Sequence, residues 1–342
     1  MKIGIVGYQG SGKSTLFQWL TETTADPAKA HTGQSAMASI PDDRVGQLCK
    51  VYEPKKITLA SLEILDVPGL TRDHVGSATK LAMIREAGCI IIVVAGFGSS
   101  DPSADLQNFE DDLKIADLDI VAGRVKRLEE SVKKPRPNRD EQIKELEALK
   151  PIYSRLDAGE SLLDLELTPE QQRAVKSFQL LSQKPRFVIV NSDDTGEAEL
   201  KQKLTALVGN GGAVVPLSIQ QELYEMPDDE RALFCEEMEL ELFDRDELIR
   251  RIMAASRQMI FFTAGEKEVR TWLLPQESTA VEAAGGIHTD MAKGFIRAEV
   301  MRCSDLIELG SEREVKAQSL ARQEPKDYVV QDGDVLFIKH NS

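Results

Sequence analysis

The chain has 342 residues, 42% hydrophobic and 29% charged, with a net charge of −15. That length predicts two or three domains, and the acidic balance argues against sequence-independent binding of the whole molecule to nucleic acid, whose phosphates repel such a surface. No apolar run approaches the roughly 18–20 residues of a membrane span, no signal-peptide pattern opens the chain, and the four cysteines are scattered without a CxxC, so a cytoplasmic protein with reduced thiols is expected.

Residues 1 to about 100 alternate β-branched runs with helical patterns, the signature of parallel βαβ units. The runs are Lys2–Val6, Ile57–Asp66 and Cys89–Ala95, and a helix starting at Lys13 carries Leu16, Phe17 and Leu20 on one face. From about Asp105 to Gly159 the period changes. Leu118, Val121, Val125, Leu128 and Val132 are spaced 3, 4, 3 and 4, an a/d seam. Pro135 and Pro137 break that helix, and a second one carries Ile143, Leu146, Tyr153 and Leu156 on its apolar side, which predicts an antiparallel helical hairpin. A further helix is expected from the N-cap Thr168, through Pro169, Glu170 and Gln171, to about Ser182.

The βα pattern resumes with a strand Arg186–Val190 ending at Asn191, a helix Glu197–Val208 and a strand Ala213–Leu217. An acidic helical stretch from Pro227 to about Ser256 leads to a mostly β module. Its strands are Ile260–Thr263, Val269–Leu274, Phe295–Val300 and Val335–Lys339, with Gly285-Gly286 and Asp332-Gly333-Asp334 read as turns. The expected architecture is an α/β nucleotide-binding domain over residues 1–104 and 184–256, interrupted by a helical insertion over 105–183 and followed by a small β-rich domain over 257–342.

Gly7-Tyr8-Gln9-Gly10-Ser11-Gly12-Lys13-Ser14 fits GxxxxGK[ST] between a strand and a helix, the context that motif requires. Gly7, Gly10, Ser11, Gly12, Lys13, Ser14 and Thr15 are therefore the expected phosphate-binding residues. Backbone amides wrap the phosphates, Lys13 reaches the β- and γ-phosphates, and the Ser14 hydroxyl ligates Mg²⁺. Asp66-Val67-Pro68-Gly69 follows about fifty residues later at a strand end, where Asp66 can hold Mg²⁺ through water and the Gly69 amide can meet the γ-phosphate. In the loop His31–Ser35, Thr32 is the candidate to complete the Mg²⁺ shell, with Thr24 and Ser35 as alternatives and a solvated loop threonine as the plain reading. Asn191 and Asp194 form an NxxD element after a strand, suited to reading a purine edge, with capping of the next helix as the plainer and compatible reading. It lacks the lysine of the guanine-specific NKxD pattern. A purine nucleoside triphosphate with Mg²⁺ is the implied ligand, with ATP versus GTP left open.

With these residues in place, the chain resembles the YchF/Obg-like branch of the P-loop NTPases over almost its whole length. The resemblance rests on the P-loop, Asp66–Leu70, Lys80–Ala87, Ala116-Asp117-Leu118 and Val215-Pro216-Leu217-Ser218. It continues through Phe262–Arg270, Ile287–Asp290, Gly294–Val300 and Asp327–Val335. It implies a cytosolic ATPase or GTPase that associates with ribosomes and acts in translation or stress regulation. Its fold would be a Ras-like nucleotide domain with an inserted antiparallel coiled-coil domain and a β-grasp-like TGS module, and Ser218 would join the nucleotide contacts.

Within that resemblance, Gly69 and Lys13 attend the chemistry, but Leu70 stands where Ras-like GTPases place a water-orienting glutamine. Leucine cannot hydrogen-bond water, so slow intrinsic turnover is expected. His74 lies nearby in sequence but reads more simply as an exposed loop histidine. Gly10 and Ser11 replace the family's usual asparagine and valine, Asp194 is one methylene shorter than the glutamate of NxxE, and the loop between Ser14 and Asp66 is shorter than usual.

The hairpin tip carries Lys133, Lys134, Arg136 and Arg139, a basic cluster suited to RNA phosphates or, more plainly, to a solvated turn. No aromatic residue interleaves there to stack on bases. His288 and Asp290 read as a structural loop rather than a metal pair. A regulatory NTPase is the preferred class; a nucleotide-sensing module with negligible hydrolysis competes with it, and a metabolic kinase would need an acceptor pocket and lid.

Overall fold

The computed structural model describes residues 1–29, 32–70, 77–163, 165–192, 198–238, 240 and 242–341. They divide into two compact units, Met1–Ala36 with Glu63–Phe243, and Met37–Leu62 with Asp244–Ser342. In chain order the elements begin β1 (Lys2–Val6), α1 (Lys13–Thr21), β2 (Gln34–Ser39), α2 (Asp43–Tyr52), β3 (Ile57–Thr58), β4 (Ser61–Asp66), α3 (Ser77–Glu86) and β5 (Cys89–Gly96). There follow α4 (Pro102–Ser131), α5 (Arg139–Asp157), α6 (Pro169–Val175), β6 (Arg186–Ser192), α7 (Ala198–Val208), β7 (Gly212–Val215), α8 (Leu217–Glu225) and α9 (Asp228–Glu237). The chain continues with α10 (Arg245–Ala255), β8 (Gln258–Ala264), β9 (Val269–Pro275), α11 (Ala280–Ile287) and α12 (Thr289–Lys293). It ends with β10 (Phe295–Arg302), α13 (Cys303–Leu309), α14 (Glu312–Ala317), β11 (Arg322–Glu324) and β12 (Asp334–His340).

The first sheet has the order β2-β4-β1-β5-β6-β7. β1 runs parallel to β4 and β5, and β5, β6 and β7 are parallel in turn. β5 is almost continuously buried, as expected of a parallel strand covered on both faces. The register brings Ile5 level with Asp66 and Ala95 level with Asn191. The ends of β1, β4 and β6 therefore lie together at the carboxyl edge of the sheet, where open α/β sheets bind ligands.

α4 starts from Asp101, whose carboxylate accepts from the Ser103 and Ala104 amides, with Pro102 at the first helical position. α5 folds back along α4, burying Leu146, Leu149, Ile152 and Leu156 against Val121, Val125 and Leu128. Arg124 and Glu145 join the two helices by paired bonds of 2.7 Å. α6 carries the Thr168–Gln171 capping box but stops at Val175 rather than near Ser182. The chain instead turns through Gln179 at φ 49° and delivers the Leu181 and Ser182 amides to Asp117, which a continuing helix would have kept for itself.

The second sheet has the order β11-β10-β12-β8-β9-β3. β10 is antiparallel to β11 and β12, β12 is parallel to β8, β8 is antiparallel to β9, and β3 is parallel to β9. The run Ile57–Asp66 thus breaks into two strands, β3 pairing with β9 and β4 with β1. α2 belongs to this second unit, with Leu48 fully buried and Arg44 bonded to both Asp42 and Asp332 and set over the Phe262 ring. Gly285-Gly286 is not a turn. It lies inside α11, where the Thr279–Glu282 capping box and the buried Ala280, Ala283 and Ala284 outweigh the glycine penalty.

Candidate nucleotide-binding site

The loop from Gly7 to Gly12 leaves β1 and enters α1 at Lys13. Gly12 has φ +99°, and a Cβ there would stand 2.3 Å from Asn191 Nδ2, so only glycine fits. The Asn191 side chain is buried and already engaged. Its Nδ2 donates to the Ser11 carbonyl at 3.2 Å, and its Oδ1 accepts from the Leu217 amide at 3.1 Å. It ties the phosphate loop to the start of α8, where the expected Ser218 is exposed, and retains one N–H and one lone pair for a ligand. Asp194 and His74 lie outside the described residues.

Lys13 is 7% exposed and donates to the Tyr8 carbonyl at 2.7 Å. Burial pushes its ammonium down to about 8, opposed by the Asp66 carboxylate and reinforced by the Lys80 charge. An ammonium held this way gains from a polyphosphate, which returns the favourable charge that burial removed. Gly10 is exposed, Thr15 is half-buried, and the Ser11 hydroxyl is buried with no hydrogen-bond partner among the described residues. That hydroxyl lines a cavity of about 80 Å³ shared with Val93, Ser100 and Phe109. Tyr8 stands edge-on to Phe109 and donates to Asp112 at 3.0 Å, which anchors the outer side of the loop to α4.

Asp66 ends β4, and its Oδ2 accepts from the Ser14 hydroxyl at 2.9 Å. A hydroxyl and a carboxylate so close make an oxygen pair suited to Mg²⁺, which takes few protein ligands and completes its shell with phosphate oxygens and water. Among the described residues no cluster of three or more His, Cys, Asp or Glu offers a rival metal site. The same Oδ2 accepts from Gln34 Nε2 at 3.2 Å, while the exposed Thr32 donates its hydroxyl to the Lys29 carbonyl at 3.4 Å. Gln34 is therefore the loop residue on Asp66, and nothing in the sequence singled it out, because a glutamine at a strand start carries no motif.

Gly69 approaches Lys13 closely. A Cβ on it would lie 2.9 Å from Lys13 Nζ and 3.0 Å from the Gln9 amide nitrogen. Leu70 is 4% exposed and part of a core with Val6, Val67 and Ile84. Its amide donates to the Gly7 carbonyl and its carbonyl accepts from the Gln9 amide, both at 3.2 Å. Lys80, on α3, donates to the Gly69 carbonyl at 2.6 Å.

A family model described as "50S ribosome-binding GTPase" matches residues 2–126, and the YchF-GTPase_C model, described as "Protein of unknown function (DUF933)", matches residues 259–341. Obg-like ATPase 1 of Oryza sativa subsp. japonica is 35% identical over 367 residues, spanning 100% of this chain and 92% of that protein. Ribosome-binding ATPase YchF of Haemophilus influenzae is 33% identical over 370 residues, covering 99% of each. The solved structure of the Schizosaccharomyces pombe YchF GTPase has the same fold, with a TM-score of 0.83 at 24% identity over 99% of this chain and 97% of that one. The chain belongs to the YchF/Obg-like ATPase family.

Proposed function

We propose that the protein binds a purine nucleoside triphosphate with Mg²⁺ and hydrolyses it slowly, as a regulatory NTPase acting with the ribosome. The observation that carries this reading is the convergence of Lys13, the Ser14–Asp66 pair and Gly69 on one phosphate loop. In it, Lys13 takes the β- and γ-phosphates, Ser14 and Asp66 hold Mg²⁺, and Asn191 turns its remaining N–H and lone pair to the base. Mg²⁺ supplies neutralisation of charge on the phosphate oxygens. The loop carrying Thr32 and Gln34 responds to the metal, since Gln34 already sits on Asp66.

Relatives named ribosome-binding ATPases support the partner. So does the tip between α4 and α5, where Lys133, Lys134, Arg136 and Arg139 are exposed beside a groove of about 340 Å³ whose lining includes Arg124, Arg127, Lys134 and Arg136 together with Glu130. In this reading residues 105–183 are a coiled-coil arm, 257–342 a TGS module, and the protein works in the cytoplasm. Among the described residues no helix is long and apolar enough to cross a membrane.

A second reading, a nucleotide sensor with negligible hydrolysis, is favoured by the burial of Leu70, which leaves no water-orienting group at that position. Calorimetric titration with ATP and with GTP, each with Mg²⁺, tests the site. Saturable binding of one of them, lost in a folded Lys13→Ala variant, is the expected result; affinity retained in that variant refutes the assignment. Multiple turnover with and without ribosomes then separates the two readings.

A further inference from the structure

Leu70 faces the core and is held there by two backbone bonds to the phosphate loop, so it cannot swing toward a phosphate without breaking that pairing. The question is which group serves the γ-phosphoryl in its place. Lys13 stands against Gly69 from one side, and the Lys80 ammonium sits on the Gly69 carbonyl itself. Two lysines thus bracket the glycine whose amide is expected to meet the γ-phosphate.

Among the described residues α3 begins at Ser77, and its first described turn, with Lys80, carries no acidic residue. A cation there opposes the helix dipole, whose positive end favours carboxylates. What holds the charge there is the Gly69 carbonyl, which ties Lys80 to the glycine rather than to its own helix. The side chain is half-buried and, among the described residues, makes one hydrogen bond, which engages one of its three N–H donors. Its charge is felt at the phosphate loop, since it helps to hold the Lys13 ammonium down.

We propose that Lys80 is a catalytic cation supplied in cis, passing from the Gly69 carbonyl to the γ-phosphoryl oxygens as the triphosphate is hydrolysed. The inference rests on the nucleotide reading given above. In the step, the oxygen of water bonds to the γ-phosphorus, and the bond to the β–γ bridging oxygen breaks, its electron pair leaving on the nucleoside diphosphate. Both water protons end on the released phosphate, as dihydrogen phosphate, which then gives one up to solvent. Lys80 keeps its protons throughout and acts by charge alone, as an arginine finger does when charge builds on the transferring oxygens. Being a point charge rather than a planar fork, it suits one oxygen at a time. Leu70, in turn, needs only to keep the strand end closed.

The test compares the full chain with Lys80→Met and Lys80→Arg variants, after their unfolding midpoints establish that both are folded. Three quantities are read: triphosphate affinity, single-turnover rate, and affinity for nucleoside diphosphate with aluminium fluoride, which mimics the transferring group. Lys80→Met is expected to bind triphosphate within about threefold of the parent, while turnover and mimic affinity each fall about 100-fold. Lys80→Arg should recover most of both. A merely structural Lys80 would weaken triphosphate binding and turnover together, and unchanged turnover in Lys80→Met would overturn the proposal outright. If the parent binds triphosphate but never hydrolyses it, Lys80 loses its catalytic role while the binding site stands. If the parent binds neither ATP nor GTP, the nucleotide reading itself fails.

Discussion

Two buried sets of opposite charges in the first unit are finished differently. At the base of the hairpin, Asp117 is 0% exposed and accepts four bonds: Arg85 Nη1 at 2.8 Å, the Leu181 amide at 3.0 Å, and the Ser182 amide and hydroxyl at 2.8 Å each. Arg85 also donates from Nη1 to the carbonyls of Phe178 and Gln179 and from Nη2 to that of Ala116, and the Lys184 ammonium closes the ring on the carbonyls of Arg85 and Ala87. At the phosphate loop, by contrast, Lys13 has one carbonyl, and Asp66 has a hydroxyl and an amide on the same oxygen. Saturated buried charges hold a structure together, whereas undersupplied ones cost stability until a ligand meets them.

That contrast breaks most readily at Asp117. Asp117→Ala would strand Arg85 and two amides, and urea unfolding should report a loss of about 3–5 kcal/mol. A loss below about 1 kcal/mol would mean that water or neighbouring groups replace the carboxylate easily.

Lys13 should behave in the opposite sense. Its ammonium is lowered from 10.5 to about 8 in the folded chain, so the unfolded chain binds the extra proton between those values. The penalty is present in full below pH about 8 and fades as pH rises to about 10.5. Without nucleotide, Lys13→Met should therefore be more stable than the parent by about 3 kcal/mol at pH 7, with the gap closing toward pH 10.5. A Lys13→Met variant that is less stable at neutral pH would place Lys13 with the saturated charges.

Two smaller changes sharpen the boundary between the regions. Tyr8→Phe removes the bond to Asp112 that anchors the loop to α4, for an expected loss of about 1 kcal/mol in the same unfolding assay. Asp66→Asn should change stability by less than about 1 kcal/mol, yet nucleotide affinity measured with Mg²⁺ should fall to the value measured in chelator. A large stability loss with metal dependence intact would reverse the assignment of that carboxylate.

What could be read from the sequence follows where the physics is local. The strand–loop–helix at Gly7–Ser14 was legible because the motif's glycines and lysine stand at fixed spacing there, and Gly12 takes the positive φ that spacing calls for. The α4 seam was legible because a helix repeats its buried face, and Val121, Val125 and Leu128 are indeed buried. The fate of residues 37–62 was not legible. Ile57–Asp66 reads as one apolar run, and only pairing with β9, more than two hundred residues away, separates β3 from β4. Gln34 on Asp66 and Lys80 on Gly69 escaped for the same reason, being side chains brought to the site by tertiary folding. Gly285-Gly286 misled in the other direction, since capping and a buried alanine face overrode a local turn signal.

The interleaving of the two units has a consequence for how such a chain can change over time. The polypeptide passes from one unit to the other at three points, Ala36–Met37, Leu62–Glu63 and Phe243–Asp244. No single exchange of gene segments can therefore add, remove or replace the second unit as a cassette. A chain cut after Phe243 would keep Ile40, Leu48 and Leu62, all fully buried, without most of the strands of their own unit. Ancestors and descendants of this protein must inherit the two units as a single heirloom.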